Sequence, residues 1–200
     1  MIPPRSDAGQ AFPIYITVVA GLLFLALAYL AVGQASVNRG GAQTAADAAA
    51  LAAAQNTRDQ LTGAWVKVLL DPTKWQDILD GRSAIIDPNA PCSRARELAA
   101  QNDSRLSDCF SPESLKYRAD VETNKSVGRS VVPGTENVRS KASATAEIEP
   151  LCTFQLPDAG AKGDDLPQLA CKDKVWHLKP DDPSGLLPKP EDLFDVHLAD

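Results

Sequence analysis

Cysteine side chains are the residues of this sequence with the clearest chemistry. Their number is even, and none belongs to a C-x-x-C pair: Cys92, Cys109, Cys152 and Cys171. An even count without close metal-binding spacing favours two disulfides in an oxidising compartment, and the alternative is four buried free thiols in a reducing one. Three pairings are open. We favour the nearest neighbours, because each bond then closes a short loop and stabilises the fold by about 3 kcal/mol.

The other polar residues give little support to metal binding or catalysis. His177 and His197 lie too far apart in sequence for the close-spaced ligand set of a zinc site. Acidic pairs at 164–165 and 181–182 lack the ligand spacing of a calcium loop. No G-x-S-x-G, H-E-x-x-H or Walker-type motif is present. We therefore expect no metal ligand, no catalytic residue and no small-molecule cofactor, and the protein is not expected to be an enzyme.

The overall charge argues against two kinds of partner. The chain has 200 residues and a formal net charge of -6, and its basic residues form no cluster in the sequence. Nucleic acid and anionic lipid surfaces are polyanionic and are bound through concentrated Lys and Arg. We therefore expect no nucleic-acid partner and no attraction to anionic lipid.

The element that must carry any outer domain is an apolar run at residues 11–33, AFPIYITVVAGLLFLALAYLAVG, which contains no Asp, Glu, Lys or Arg. As a helix it is roughly 35 Å long, enough to cross a hydrocarbon core about 30 Å thick. A cleaved signal peptide is the alternative, since Gly33 and Ala35 form a small-x-small site. The run is longer than a signal core, so an intact span is favoured.

Several residues of the run suit a span over residues 11–35. Tyr15 and Tyr29 lie about 21 Å apart along a helix, which suits the two interfaces, and Pro13 falls in the first turn. The span residues we single out are Phe12, Pro13, Tyr15, Gly21, Tyr29 and Gly33. The cysteines favour an outer location for the C-terminal part. The predicted topology has residues 1–10 as a short cytoplasmic lead and the C-terminal domain outside the cell membrane.

After the span, local signals predict an Ala-rich helical stalk over residues 36–62. Gly40 and Gly41 are expected to end or kink the first helix. Thr44 and Asp47 have the spacing of a capping box that begins a second helix. Alanine is the best helix former, and its small side chain lets another helix approach closely. The alternative is a stalk that forms through helix propensity alone, and both stay open.

Residues 63–200 are predicted to form an α+β domain. Asp71 and Pro72 begin a short helix that buries Trp75 and ends at Gly81, and a further helix covers residues 93–101. Residues 116–123 and 138–148 alternate with period two, which predicts half-buried antiparallel strands, and small residues on the second predict close packing against a helix. Another strand is predicted at 126–132. From residue 157 onward the Pro-rich chain is predicted to be mostly irregular.

The N-terminal third resembles TadG/TadE-like proteins of the tight-adherence (Flp) pilus system, most closely the actinobacterial TadG-related proteins. The resemblance rests on a short lead that ends near Gly9, a single apolar helix, and an Ala-rich motif directly after it: Ala45, Ala46, Asp47, Ala48, Ala49, Ala50 and Leu51. It covers roughly residues 5–60. Prepilins carry Glu five residues after the cleavage glycine, whereas this chain has Ile14, so cleavage after Gly9 is not expected.

This resemblance implies a membrane-anchored, extracytoplasmic component of pilus assembly or a related secretion apparatus, with a structural role and no catalytic site. Its partners would be the lipid bilayer and other pilus-assembly or pilin-like membrane proteins. The alternative is a cell-surface binding module, anchored by the same helix, that engages a wall polymer or an adhesion ligand. A binding module would work when cut free of its helix, and an assembly component would not.

Overall fold

A computed structural model of the chain describes residues 11–82, 87–128, 136–156, 166–178 and 187–199. One long helix, α1 (Ala11–Lys67), carries a small α+β domain on its C-terminal half. The other helices are a 3-10 turn (Pro72–Lys74), α2 (Trp75–Leu79), α3 (Ala90–Gln101) and α4 (Pro190–Leu193). The strands are β1 (Ser104–Phe110), β2 (Lys116–Thr123), β3 (Lys141–Pro150), β4 (Cys152–Phe154), β5 (Leu169–Cys171), β6 (Lys174–Trp176) and β7 (Phe194–Leu198).

The two halves of α1 have opposite surroundings. Almost every side chain from 12 to 41 is exposed, whereas from Ala42 onward one face is buried in the domain. The buried alanines are Ala42, Ala45, Ala46, Ala49, Ala50, Ala52, Ala53 and Ala54. This face packs against α3, β2 and β3. Residues 36–62 are helical, as predicted. Of the two alternatives for this helix, close packing and a free stalk, the described chain has close packing, because α3 and the sheet cover the alanines.

The expected break between span and Ala-rich segment is absent, since α1 is continuous through Gly40 and Gly41. Thr44 does not begin a new helix. Its Oγ1 donates to the carbonyl of Gly40 at 3.1 Å, one turn earlier in the same helix. Gln43 Nε2 donates to Asp47 Oδ1 at 2.8 Å, which is also a bond within one helix. Glycine and capping signals are local, and burial of the segment just after them outweighs the roughly 1 kcal/mol that each helical glycine costs.

Four strands form an antiparallel sheet in the order β1-β2-β3-β7. Its inner face, which packs on α1, carries Tyr117, Ala119 and Val121 from β2 and Ala144, Ala146 and Ile148 from β3. Both predicted alternating strands are confirmed, as is the packing of small β3 residues against a helix. The sequence pattern missed β1, which lies inside the Cys92–Cys109 loop and has an irregular register between Leu106 and Asp108.

A smaller antiparallel sheet, β4-β5-β6, lies beside an aromatic cluster. Trp75 on α2 lies between Trp65 of α1 and Phe154 of β4, with 5.2 Å between ring centroids in each pair. As predicted, Trp75 is buried on a short helix, and Gly81, just beyond its end, has a φ of +67°. The C-terminal region is more regular than expected, because it contains β5, β6 and β7. Of the strand predicted at 126–132, residues 126–128 are not in a strand and the others lie outside the described residues.

Two disulfides join nearest neighbours in sequence: Cys92 with Cys109, and Cys152 with Cys171. The first ties α3 to β1. The second ties β4 to β5, where the two cysteines face each other in the ladder. Each disulfide therefore closes a loop in which the chain reverses direction. The Cys152–Cys171 bond also links β4 and β5 of the small sheet covalently.

Loss of the Cys152–Cys171 bond is expected to lower stability. The two residues are 19 apart in sequence, and opening a loop of this length costs about 3 kcal/mol through the entropy of the unfolded chain. The double variant Cys152→Ser/Cys171→Ser should therefore unfold at lower urea concentration, and its m-value should rise slightly because the unfolded chain becomes less compact. The matching Cys92→Ser/Cys109→Ser variant should lose a similar amount, since its separation is 17. An unchanged midpoint in both variants would contradict this account.

Candidate functional site: the apolar helix and the surface beside it

Most of the exposed large apolar side chains of the described chain lie on the exposed half of α1. Its best window has a mean hydropathy of 2.4, none of that window is buried, and the helix is long and apolar enough to cross a membrane. Tyr29 is 80% exposed and Phe12 70%. Exposed apolar patches of this size on soluble monomers are rare and mark interaction or membrane surfaces.

The predicted span residues lie on the exposed half of α1. Phe12, Tyr15 and Tyr29 are exposed, and a Cβ added at Gly21 or Gly33 would meet nothing within 4 Å. The hydroxyl of Thr17 donates to the carbonyl of Ile14 at 2.8 Å. Such a bond within the helix spares the hydroxyl an unmet hydrogen bond in an apolar medium.

The Ala-rich motif has a structural role in the described chain. Ala45, Ala46, Ala49 and Ala50 are fully buried, and Ala48, Leu51 and Asp47 lie at the margin of the interface. The motif therefore packs α1 against the rest of the domain, and its three marginal residues stay partly exposed. Gly9, the remaining motif residue, and the lead at residues 1–10 lie outside the described residues, as do the acidic pairs at 164–165 and 181–182.

Asn38 lies between the exposed and the buried half of α1, and its side chain is hydrogen-bonded to the domain. Its Nδ2 donates to the carbonyl of Lys125 at 3.4 Å, and its Oδ1 lies 3.2 Å from Thr123 Oγ1. Thr123 Oγ1 in turn donates to the Lys125 carbonyl at 2.8 Å and accepts from the backbone N–H of Ser140 at 3.1 Å. These bonds hold the chain just after β2 and just before β3 against the helix at the level of residue 38.

From this junction, the domain extends along the apolar half of the helix. Val127 lines an open, largely apolar cleft together with Tyr29, Leu30, Gly33 and Val37 of α1. The N–H of Val127 donates to the carbonyl of Val138 at 2.8 Å, so the two segments that bear these valines are paired. Domain residues therefore reach the level of residues 29–37, inside the region predicted to meet the membrane.

Positive charge surrounds the same junction. Arg39, Lys125, Arg139 and Lys141 are all exposed. Nearby, Arg105 Nη2 lies 2.9 Å from Glu122 Oε2, and this hydrogen bond holds the pKa of Glu122 below its ordinary value, with smaller contributions from the charges of Lys141 and Arg139. Asp103 Oδ2 lies 3.6 Å from Lys125 Nζ.

One further cluster of polar side chains lies on the outer face of the four-stranded sheet. Glu149, Asp195 and His197 are exposed and offer ligand atoms within 4.8 Å of one another, and His197 Nδ1 lies 3.3 Å from Asp195 Oδ2. Sequence reasoning missed this cluster, because it depends on the pairing of β3 with β7, and β7 was not predicted. Exposed acidic groups are common on sheet surfaces, and these three do not line an enclosed cavity, so we assign them no function. His177 is separate from them and is exposed.

Comparison with known proteins adds one finding to this geometry. Residues 9–56 match the Tad family model, described as "Putative Flp pilus-assembly TadE/G-like". Over that segment the chain is similar to TadE/G-like proteins. The matched segment covers the exposed half of α1 and its first buried turns, including the whole Ala-rich motif. The match therefore continues past the apolar run into the part of α1 that is buried in the domain. No curated protein and no solved structure matches the chain.

Proposed function

We propose that this protein is a membrane-anchored, extracytoplasmic component of Flp/Tad-type pilus assembly, with a structural role and no catalysis. The observation that carries the proposal is the family match over residues 9–56, which coincides with a long, exposed, apolar helix. A shared helix composition alone would fit many anchored proteins. The match extends into the buried motif, and this extension favours the pilus system over a generic anchor.

Under this proposal residues 11–35 cross the cell membrane, residues 1–10 form a short cytoplasmic lead, and the α+β domain lies outside the cell. Both disulfides lie in the domain, and such bonds persist in oxidising compartments outside the cytoplasm. The partners are the lipid bilayer and other pilus-assembly or pilin-like membrane proteins. In the bilayer the helix presents Gly21 and Gly33, where a neighbouring helix can approach closely.

Mass spectrometry of the intact protein, taken from its native membranes without reductant, tests anchoring and orientation together. The expected mass is that of the full chain less four hydrogens, which indicates an intact anchor and two disulfides. A chain that lacks residues 1–9 would indicate prepilin-like processing and entry into a filament. A chain that lacks roughly residues 1–35 would mean a secreted domain and would overturn the proposed anchor.

Co-purification separates an assembly role from the surface-binding alternative. The full chain, extracted in mild detergent, is expected to bring down other components of the pilus system. A chain that begins at Gln34 should lose them, because the exposed apolar helix is gone while the buried half of α1 remains. The shortened chain could instead keep its partner, or bind isolated wall polymer as well as the full chain does. Either result would favour a surface-binding module over a pilus-assembly component.

A further inference from the structure

We propose that Arg39, Lys125, Arg139 and Lys141, here called the basic collar, bind the phosphates of anionic lipid headgroups where α1 leaves the bilayer. This inference rests on the proposed membrane anchor and goes beyond it. It assigns a second membrane contact to the domain itself, at a surface that the Tad match over residues 9–56 covers only at Arg39.

The first argument is depth. The uncharged run at 11–33 is roughly 35 Å long as a helix, and the hydrocarbon core takes up about 30 Å of it. Residues 34–39 add about 9 Å, which is the scale of the headgroup layer. Asn38 is bonded to the Lys125 carbonyl, so the backbone of Lys125 is held at headgroup depth when the helix spans the membrane.

The second argument is the character of the surface. Val127 lies beside Leu30 and Val37, and Val138, which is 51% exposed, is paired with it through the backbone. Apolar side chains flanked by Lys and Arg are typical of protein surfaces at the membrane boundary, where the aliphatic part contacts acyl chains and the cation contacts phosphate.

The third argument is charge. The chain as a whole carries -6, yet Arg39 and Lys141 line one cleft beside α1. Lys125 and Arg139 lie in the two segments that the Asn38 and Val127–Val138 hydrogen bonds hold at the same level of the helix. Of the nearby carboxylates, Glu122 is paired with Arg105, which lies outside the collar, whereas Asp103 lies 3.6 Å from Lys125 of the collar. With Asp103 and Glu136 both counted against the four cations, the collar keeps an excess of two positive charges. Cations near an anionic lipid surface strengthen association by roughly fivefold each.

The test uses the full chain in vesicles of phosphatidylcholine, alone or mixed with phosphatidylglycerol. Flotation with phosphatidylcholine vesicles is measured first, and failure to float would overturn the anchor itself. With floating protein, hydrogen exchange of the amides at 124–128 and 136–141 is then compared in the two lipids. We expect about fivefold slower exchange with phosphatidylglycerol, and loss of this difference at high salt, because the attraction is screened.

Two variants decide whether the collar is responsible. Lys125→Gln/Arg139→Gln/Lys141→Gln should float normally and lose the lipid-dependent difference. The matched control, Lys67→Gln/Lys74→Gln/Lys172→Gln, removes the same charge from exposed positions outside the collar and should keep the difference. Equal exchange in both lipids for the unsubstituted chain, or an unchanged difference in the collar variant, would overturn the collar while leaving the anchor intact.

Discussion

Deletion of residues 36–60 is expected to abolish folding of the whole domain. The deleted segment contains all eight buried alanines of α1, together with buried Thr57, and it forms the surface on which β2, β3 and α3 pack. Without it, the apolar face of the four-stranded sheet would meet water, and the rest of the chain cannot cover that face. The measurement is near-ultraviolet circular dichroism with thermal unfolding, which should show no cooperative transition.

The matched control is deletion of residues 11–33, which is a similar length of the same helix. These side chains are largely exposed, and their described contact with the domain is the cleft beside Val127. The shortened chain should therefore unfold cooperatively and keep both disulfides. A native-like transition after deletion of residues 36–60 would show that α1 is not the core of the domain.

Truncation of Trp75 to alanine is expected to be the most damaging single substitution. Its side chain is fully buried, its ring contacts Trp65 and Phe154, and its Nε1 donates to the carbonyl of Val68 at 3.2 Å. Removal of a buried tryptophan leaves a cavity and costs about 3–5 kcal/mol. It also leaves the Val68 carbonyl without this donor. The melting temperature should fall by about 10 °C in a domain of this size.

A control for Trp75 lies a few residues away. Leu70 is 69% exposed, so Leu70→Ala should change the free energy of unfolding by less than about 0.5 kcal/mol. Urea unfolding of both variants, in the chain that lacks residues 11–33, gives the two values under the same conditions. A loss at Leu70 as large as that at Trp75 would contradict the burial of the aromatic cluster as the cause.

The alternating strands could be predicted because each is long enough to show its period. β2 buries Tyr117, Ala119, Val121 and Thr123, which is an unbroken alternation over eight residues. By contrast, β4, β5 and β6 have three residues each, and no period can be read from such short strands. β7 was seen only as a short apolar patch, because its place depends on a partner, β3, that is remote in sequence.

The choice between a free stalk and a packed helix is left open by the Ala-rich segment for a physical reason. Alanine raises helix propensity whether the helix is free or buried, so composition cannot tell the two apart. The distinguishing signal was present in β3, where Ala144 and Ala146 leave room for a closely packed helix. A strand with such small side chains packs closely against a helix whose facing side chains are also small. The buried alanines of α1 form that helix face. The basic collar escaped notice because its cations are dispersed in sequence and meet only in the fold.

Because α1 is one continuous helix, a tilt of its apolar half also tilts the domain packed on its other half. No joint separates the apolar half from the buried half, and Asn38 holds the domain to the helix at the point where a hinge would otherwise lie. From residue 37 to residue 67 the helix rises about 45 Å, so a tilt of about 20° in the bilayer displaces its far end sideways by roughly 15 Å. Under the proposed anchoring, bilayer thickness and neighbouring helices set the tilt of α1 and thereby the direction in which the domain points.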